Sequence, residues 1–186
     1  LERDQLDVAI RFVLAGDDLP DSDPLFQCKT FPVCSPALAN NKSHPIRTPA
    51  DLAHHVRLDY ESVRDGRRLG LWDFWFDKMK IPHVKPASTL QFPQYDQLVS
   101  AAIEGSGVGI SVLPHTAQHL HQKALCVPFG MDAVALLGVF YIIRRNDVAG
   151  RDAVDTFVGW LRSEVKRDAE LAPALVAARG GPRASA

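Results

Sequence analysis

Gln97-Leu98-Val99-Ser100-Ala101-Ala102-Ile103-Glu104-Gly105-Ser106-Gly107-Val108-Gly109-Ile110 holds a helix, its stop and a strand in immediate succession. Tyr95, Val99, Ala102 and Ile103 fall on one side of a helix placed at residues 94–104, with Pro93 opening it. Gly105-Ser106-Gly107 ends that helix, and residues 108–113 continue as a buried apolar strand. The glycines stand after a helix and not before one. Gly105-x-Gly107-x-Gly109 is therefore no dinucleotide fingerprint, and its glycines serve the helix stop and close sheet packing.

Upstream, the pattern repeats. Residues 87–92 read as a strand, and residues 71–80 as a helix with Trp72, Trp75, Phe76 and Met79 at spacings of three and four, ended by Pro82 and Pro86. That aromatic stripe reads as core. Residues 61–70, charged and glycine-containing, read as an exposed loop, and residues 56–60 as a strand. Thr48-Pro49-Ala50-Asp51-Leu52 is a helix start, with a capping hydroxyl, a proline where no N–H is needed and an acid near the positive end. Residues 24–35 are extended between prolines, Pro36 turns into a short helix, residues 13–23 form a loop, and residues 7–12 form a short buried strand.

Downstream, Pro114 opens a helix to about residue 122, residues 124–129 are extended, and residues 134–143 are the longest strand candidate. The last helix spans about residues 150–166, where Val154, Phe157, Val158, Leu161 and Val165 share an apolar face. From about residue 170 the sequence turns to Ala, Pro, Gly and Arg, and residues 171–186 are expected to be a disordered tail. Strands alternating with helices predict an α/β fold with a largely parallel sheet, whose ligand crevice lies at the carboxyl ends of the strands.

The 186 residues fit one domain or two small lobes, with 46% hydrophobic and 23% charged residues. A net charge of −1 gives no electrostatic footprint for a nucleic-acid backbone, and no uncharged stretch is long enough for a membrane span. No secretion signal is visible, and the chain opens without Met, directly into Leu6-Asp7-Val8-Ala9-Ile10, which reads as a truncated start. Cys28, Cys34 and Cys126 form no C-x-x-C pair and read as reduced core thiols of a cytoplasmic protein.

Six segments, in order, resemble the sensing domain of LysR-type transcriptional regulators, most of all the glycine-cleavage-activator branch. Asp7-Val8-Ala9-Ile10-Arg11 is similar to that family's D-[VL]-A-I-R strand. Pro24-Leu25-Phe26 with Phe31-Pro32-Val33-Cys34-Ser35-Pro36-Ala37-Leu38 is similar to the passage between its lobes, and His44 through Leu52 to its P-[LI]-x-[TS]-P-x-D-L helix start. Trp72-x-x-Trp75, the stretch 97–110, and the closing set Val127-Pro128-Phe129, Phe140-Tyr141 and Phe157-Val158-Gly159-Trp160-Leu161 complete the series. The resemblance covers about residues 6–164. It implies a two-lobed type II periplasmic-binding-protein-like fold with two crossover strands. Lobe one is expected at residues 1–30 plus 129–170 and lobe two at 31–128. The first lobe is expected to be incomplete, because the family's opening strand-helix-strand unit and its winged helix-turn-helix are not in this sequence. Phe12-Val13-Leu14 also departs from the aromatic-glycine turn that usually follows the position of Arg11.

The function so implied is effector sensing: a small metabolite, an amino acid or a carboxylate, held between lobes. DNA is reached only through the helix-turn-helix, and the complete protein is a dimer or tetramer. A stand-alone solute-binding protein of a transporter and a non-functional truncated remnant are the alternatives. Candidate effector contacts are Arg11, for a carboxylate, Ser35 at the lobe junction, and Phe92, Gln94 and Tyr95 at a strand-to-helix turn with free backbone donors. Against that, Phe92 and Tyr95 read equally as core, and Arg11 as the partner of a surface acid. His115, His119 and His121 lack a third distant ligand and read as a solvated helix face, so no metal or other cofactor is expected. Ser35 and Ser111 lie in no G-x-S-x-G elbow, and no enzyme is expected.

Overall fold

Trp72, Trp75 and Phe76 are each at most 1% exposed, so the aromatic stripe anticipated for residues 71–80 is the centre of the main core. The computed structural model describes residues 6–17, 19–20, 22–60, 62–64, 67–145 and 152–171. The strands are β1 (Val8–Leu14), β2 (Asp23–Val33), β3 (Val56–Tyr60), β4 (Ser62–Arg64), β5 (Arg67–Leu69), β6 (Ser88–Phe92), β7 (Gly109–Val112) and β8 (Ala135–Arg144). The helices are α1 (Pro36–Ala39), α2 (Leu71–Met79), α3 (Tyr95–Ile103), α4 (Ala117–His121) and α5 (Asp152–Leu171), with short 3-10 helices at Pro49–His54 and Met131–Ala133. The tail expected at 171–186 lies outside the described residues, apart from Leu171, which ends α5.

Local chemistry sets the helix ends. Thr48 and Asp51 form a reciprocal capping box, with the Asp51 carboxylate accepting from the backbone N–H groups of Arg47 and Thr48 at 2.9 and 2.7 Å. Those two bonds hold the Asp51 carboxyl below its usual range. α3 stops at Gly105, whose φ of +80° is left-handed. Beyond it, a Cβ on Gly107 would collide with the Val56 carbonyl and approach Leu58 Cδ2 to 2.9 Å. The glycines thus do what the sequence implied, stopping the helix and admitting β7 against β3.

The α/β class holds, but the parallel sheet does not. The largest sheet has the order β1-β8-β2-β7 and is antiparallel throughout. Among the described strands only β3 and β6 pair in parallel, extended by an isolated parallel bridge from Arg57 to Val108. The cause is topological. β1 and β2 pair with β8, which enters from late in the chain and runs opposite to both. β2 is long enough to serve twice, its first part against β8 and residues Thr30–Val33 against β7. The chain leaves this sheet after β2, builds β3, α2, β6 and α3, rejoins it at β7, and comes back through residues 126–134 into β8.

Three further expectations are corrected. Residues 61–70 are not a plain loop, because β4 and β5 pair as an antiparallel hairpin. Residues 124–129 form no strand beyond a single bridge at Cys126. β1 is not buried: Ile10 is 47% exposed and Arg11 is exposed. On α5, Val154 and Val158 pack with Ile142, while Phe157 and Trp160 turn outward. Arg144 ties the three elements at that end, reaching Asp155 at 3.1 Å and Asp23 at 3.2 Å.

Candidate functional site

Tyr60 stands at the carboxyl end of β3, which pairs in parallel with β6, and shares a hollow with residues of the large sheet. The hollow is a cleft of about 420 Å³. One wall is Phe12, Cys28, Leu137 and Phe140, from β1, β2 and β8. The facing wall is Tyr60 at the end of β3, Leu69 and Leu71 around the start of α2, and Tyr95 and Asp96 at the start of α3. Val112 and His115 close it. The volume and the apolar walls with few polar groups suit a small ligand.

Phe12 and Phe140 meet edge to face at 4.9 Å between centroids, and Phe140 stacks on Phe26. Opposite them, the Tyr95 ring stands edge to face between Tyr60 at 5.7 Å and His115 at 5.6 Å. The Tyr95 hydroxyl accepts from the Val112 N–H at 2.7 Å and donates to the Ile110 carbonyl at 3.4 Å. Burial pushes its pKa well above the ordinary phenol range, so it stays a neutral hydroxyl. Its polar atom is engaged by β7; Tyr60, Asp96 and His115 supply the other phenol, carboxyl and imidazole side chains among the described lining residues. No Lys or Arg is among the described lining residues.

Of the five residues singled out in the sequence, Tyr95 alone lines this cleft. Arg11 pairs in register with Tyr141 on β8 and is exposed, because strand alternation turns it to the face opposite Phe12. Ser35 is buried and caps α1, accepting from the Leu38 N–H at 3.3 Å. Phe92 is half-buried against the Leu58 and Leu98 core, and Gln94 is the exposed residue preceding α3. Tyr60 and Asp96 were within reach of the strand-end rule that picked Tyr95. Phe12, Phe140 and His115 become neighbours only through long-range pairing.

The other polar candidates are accounted for. Ser111 Oγ lies 2.6 Å from Thr116 Oγ1, and the Ser111 carbonyl accepts from the Thr30 hydroxyl at 2.8 Å, a buried network in which no described histidine or acid hydrogen-bonds to the Ser111 hydroxyl. Among the described residues no group of three or more His, Cys, Asp or Glu is placed to hold a metal, and no helix is long and apolar enough to cross a membrane. A second hollow, of about 270 Å³, runs between β2, α4 and α5.

Residues 1–166 match the family described as LysR substrate binding domain. The chain is 30% identical over 166 residues to the HTH-type transcriptional activator AmpR of Rhodobacter capsulatus, covering 87% of this chain and 52% of that protein. It is 25% identical over 167 residues to the glycine cleavage system transcriptional activator of Escherichia coli K12, covering 90% and 52%. The chain thus spans about half the length of these curated relatives. The effector domain of AmpR from Pseudomonas aeruginosa superposes with a TM-score of 0.60 at 24% identity, over 91% of this chain and 77% of that one. The fold is that of a LysR effector-binding domain, periplasmic-binding-protein-like, and the named relatives are transcriptional activators. The chain belongs to the LysR substrate binding domain family.

Proposed function

We propose that this chain is the sensing part of a DNA-binding transcriptional regulator, with the cleft between β1/β8 and the β3–β6 unit as its effector site. The observation that carries the reading is the make-up of that cleft. Its walls come from elements on either side of the two crossings, at residues 31–35 and 126–134, so a ligand there touches both lobes at once. We assign lobe one to residues 1–30 plus 129–170 and lobe two to 31–128. A ligand with different affinity for two lobe arrangements shifts their balance, and one with equal affinity shifts nothing. In the whole protein that shift is passed to an attached helix-turn-helix and through a dimer or tetramer. The relatives' names as transcriptional activators favour this over a stand-alone solute-binding protein.

The described polar lining narrows the effector. An acid, an imidazole and a phenol with apolar walls favour a small molecule with an apolar body and a donor or ammonium group, an amino acid before a bare carboxylate. A thermal-shift screen of amines, amino acids and carboxylates tests both points. A ligand at a hundredfold excess over its Kd adds about 2.7 kcal/mol, several degrees in Tm. The shift is expected to vanish in Asp96→Asn and Phe140→Ala and to survive in Arg11→Ala. Equal shifts in all three variants would remove the site, and shifts from simple carboxylates only would remove the amine assignment.

A further inference from the structure

Cys34 and Cys126, far apart in sequence, face each other across an isolated antiparallel bridge. The Cys34 N–H donates to the Cys126 carbonyl at 3.3 Å, and the Cys126 N–H donates to the Cys34 carbonyl at 2.9 Å. Residues that exchange both bonds have Cα atoms about 5.5 Å apart, inside the roughly 4.4–6.8 Å that a disulfide spans. Both thiols are free and hydrogen-bonded to each other, Cys34 fully buried and Cys126 half-buried. Their places in the chain matter. Cys34 directly follows β2, where the chain leaves the four-stranded sheet, and Cys126 lies on the segment that returns to β8.

We propose that Cys34 and Cys126 form a reversible thiol–disulfide site, closed by small hydroperoxides, that staples the two crossings between the lobes. The pair is chemically unequal. The bond from the Cys34 thiol lowers the Cys126 pKa below the ordinary thiol range, while that bond and burial hold Cys34 up. Cys126, the more accessible sulfur, is thus the nucleophile. Its thiolate attacks the outer peroxide oxygen and the O–O bond breaks. The sulfur is oxidised to sulfenic acid as the peroxide is reduced, and the departing alkoxide or hydroxide takes a proton. The Cys34 sulfur then attacks the Cys126 sulfur, the S–OH bond breaks, and the Cys34 proton leaves with the hydroxide as water. The bond joins opposed residues on a partly exposed bridge, the kind of disulfide that thiols reopen. Cys28, buried with its thiol donating to the Leu113 carbonyl at 3.1 Å, has no part in the exchange.

The test is titration of the reduced, folded protein with hydrogen peroxide. Accessible and buried thiols together should fall from three to one, with the Cys34 and Cys126 peptides cross-linked in the tryptic digest and released by dithiothreitol. Cys34→Ala should stop at a sulfenic acid on Cys126 that dimedone captures, and Cys126→Ala should keep both remaining thiols. Retention of all three thiols by the folded wild type, under peroxide that oxidises the urea-unfolded chain, overturns the proposal. A cross-link through Cys28, or between chains only, overturns it as well. These readings on the wild type do not depend on either variant folding.

Discussion

The Trp75 indole N–H donates to the Ala133 carbonyl at 2.7 Å and so ties α2 to the segment that feeds β8. Trp75 is 0% exposed and stacks on Phe129, itself on the return crossing. Trp75→Phe keeps an aromatic ring but strands a buried carbonyl and opens a void. The unmet acceptor costs about 1–3 kcal/mol, and the lost ring volume adds to it. Urea unfolding should show an unfolding free energy lowered by at least that much. A change below about 0.5 kcal/mol, the range of ordinary surface substitutions, would mean that this joint does not hold the return segment.

That joint was half legible. The spacing of Trp72, Trp75 and Phe76 announces a buried helical face, because three large rings on one stripe have nowhere else to go. The same holds for the Thr48-Pro49-Asp51 start and the Gly105 stop, where local chemistry decides. Their partners were not legible. Nothing near Phe12 says that it lies beside Phe140, since that depends on a register set between β1 and β8 from opposite ends of the chain. Arg11, which the sequence offers as a ligand contact, is exposed on β1, while Phe12, one residue on, lines the cleft. The β4–β5 hairpin had a local signal, the Asp65-Gly66 pair between two short β runs, that a reading of the segment as charged loop passes over.

Two glycines should respond in opposite directions. Gly107→Ala places a Cβ against the Val56 carbonyl and 2.9 Å from Leu58 Cδ2, and the backbone oxygen cannot step aside as a side chain can. A loss of about 1–3 kcal/mol is expected. Gly159, exposed within α5, has no heavy atom near the corresponding position. Gly159→Ala should raise stability by about 0.5–1 kcal/mol through the helix preference alone. Matched urea curves decide both, and a stabilising Gly107→Ala would contradict the close approach of β7 to β3.

Arg144 makes the most conspicuous ion pairs, to Asp23 and Asp155, yet all three side chains are a third or more exposed. Solvent screens such pairs, and Arg144→Ala should cost under about 1 kcal/mol. Raising the salt concentration should shrink even that difference. A salt-insensitive loss of several kcal/mol would show instead that the arginine stem is packed as a core element.

His55 gives the chain an acid sensitivity whose sign is fixed by burial. The residue is 7% exposed and its Nε2 has no hydrogen-bond partner among the described residues. Removal from water lowers its pKa below the ordinary 6.5. The unfolded chain then binds the proton more readily than the folded one. The neutral ring contributes fully above about pH 6.5, and stability falls as the pH drops below that value, by at most about 1.4 kcal/mol per pH unit. His83 works the other way. It is held by Asp77 at 2.8 Å and Asp73 at 3.4 Å with its pKa raised, so its small contribution is present at low pH and lost as the pH rises through the folded value. Urea midpoints of wild type and His55→Gln, measured from pH 7.5 to 5.5, separate the two. The wild type should lose ground to the variant on acidification, and a constant gap between the curves would show that His55 takes up its proton without opening the fold.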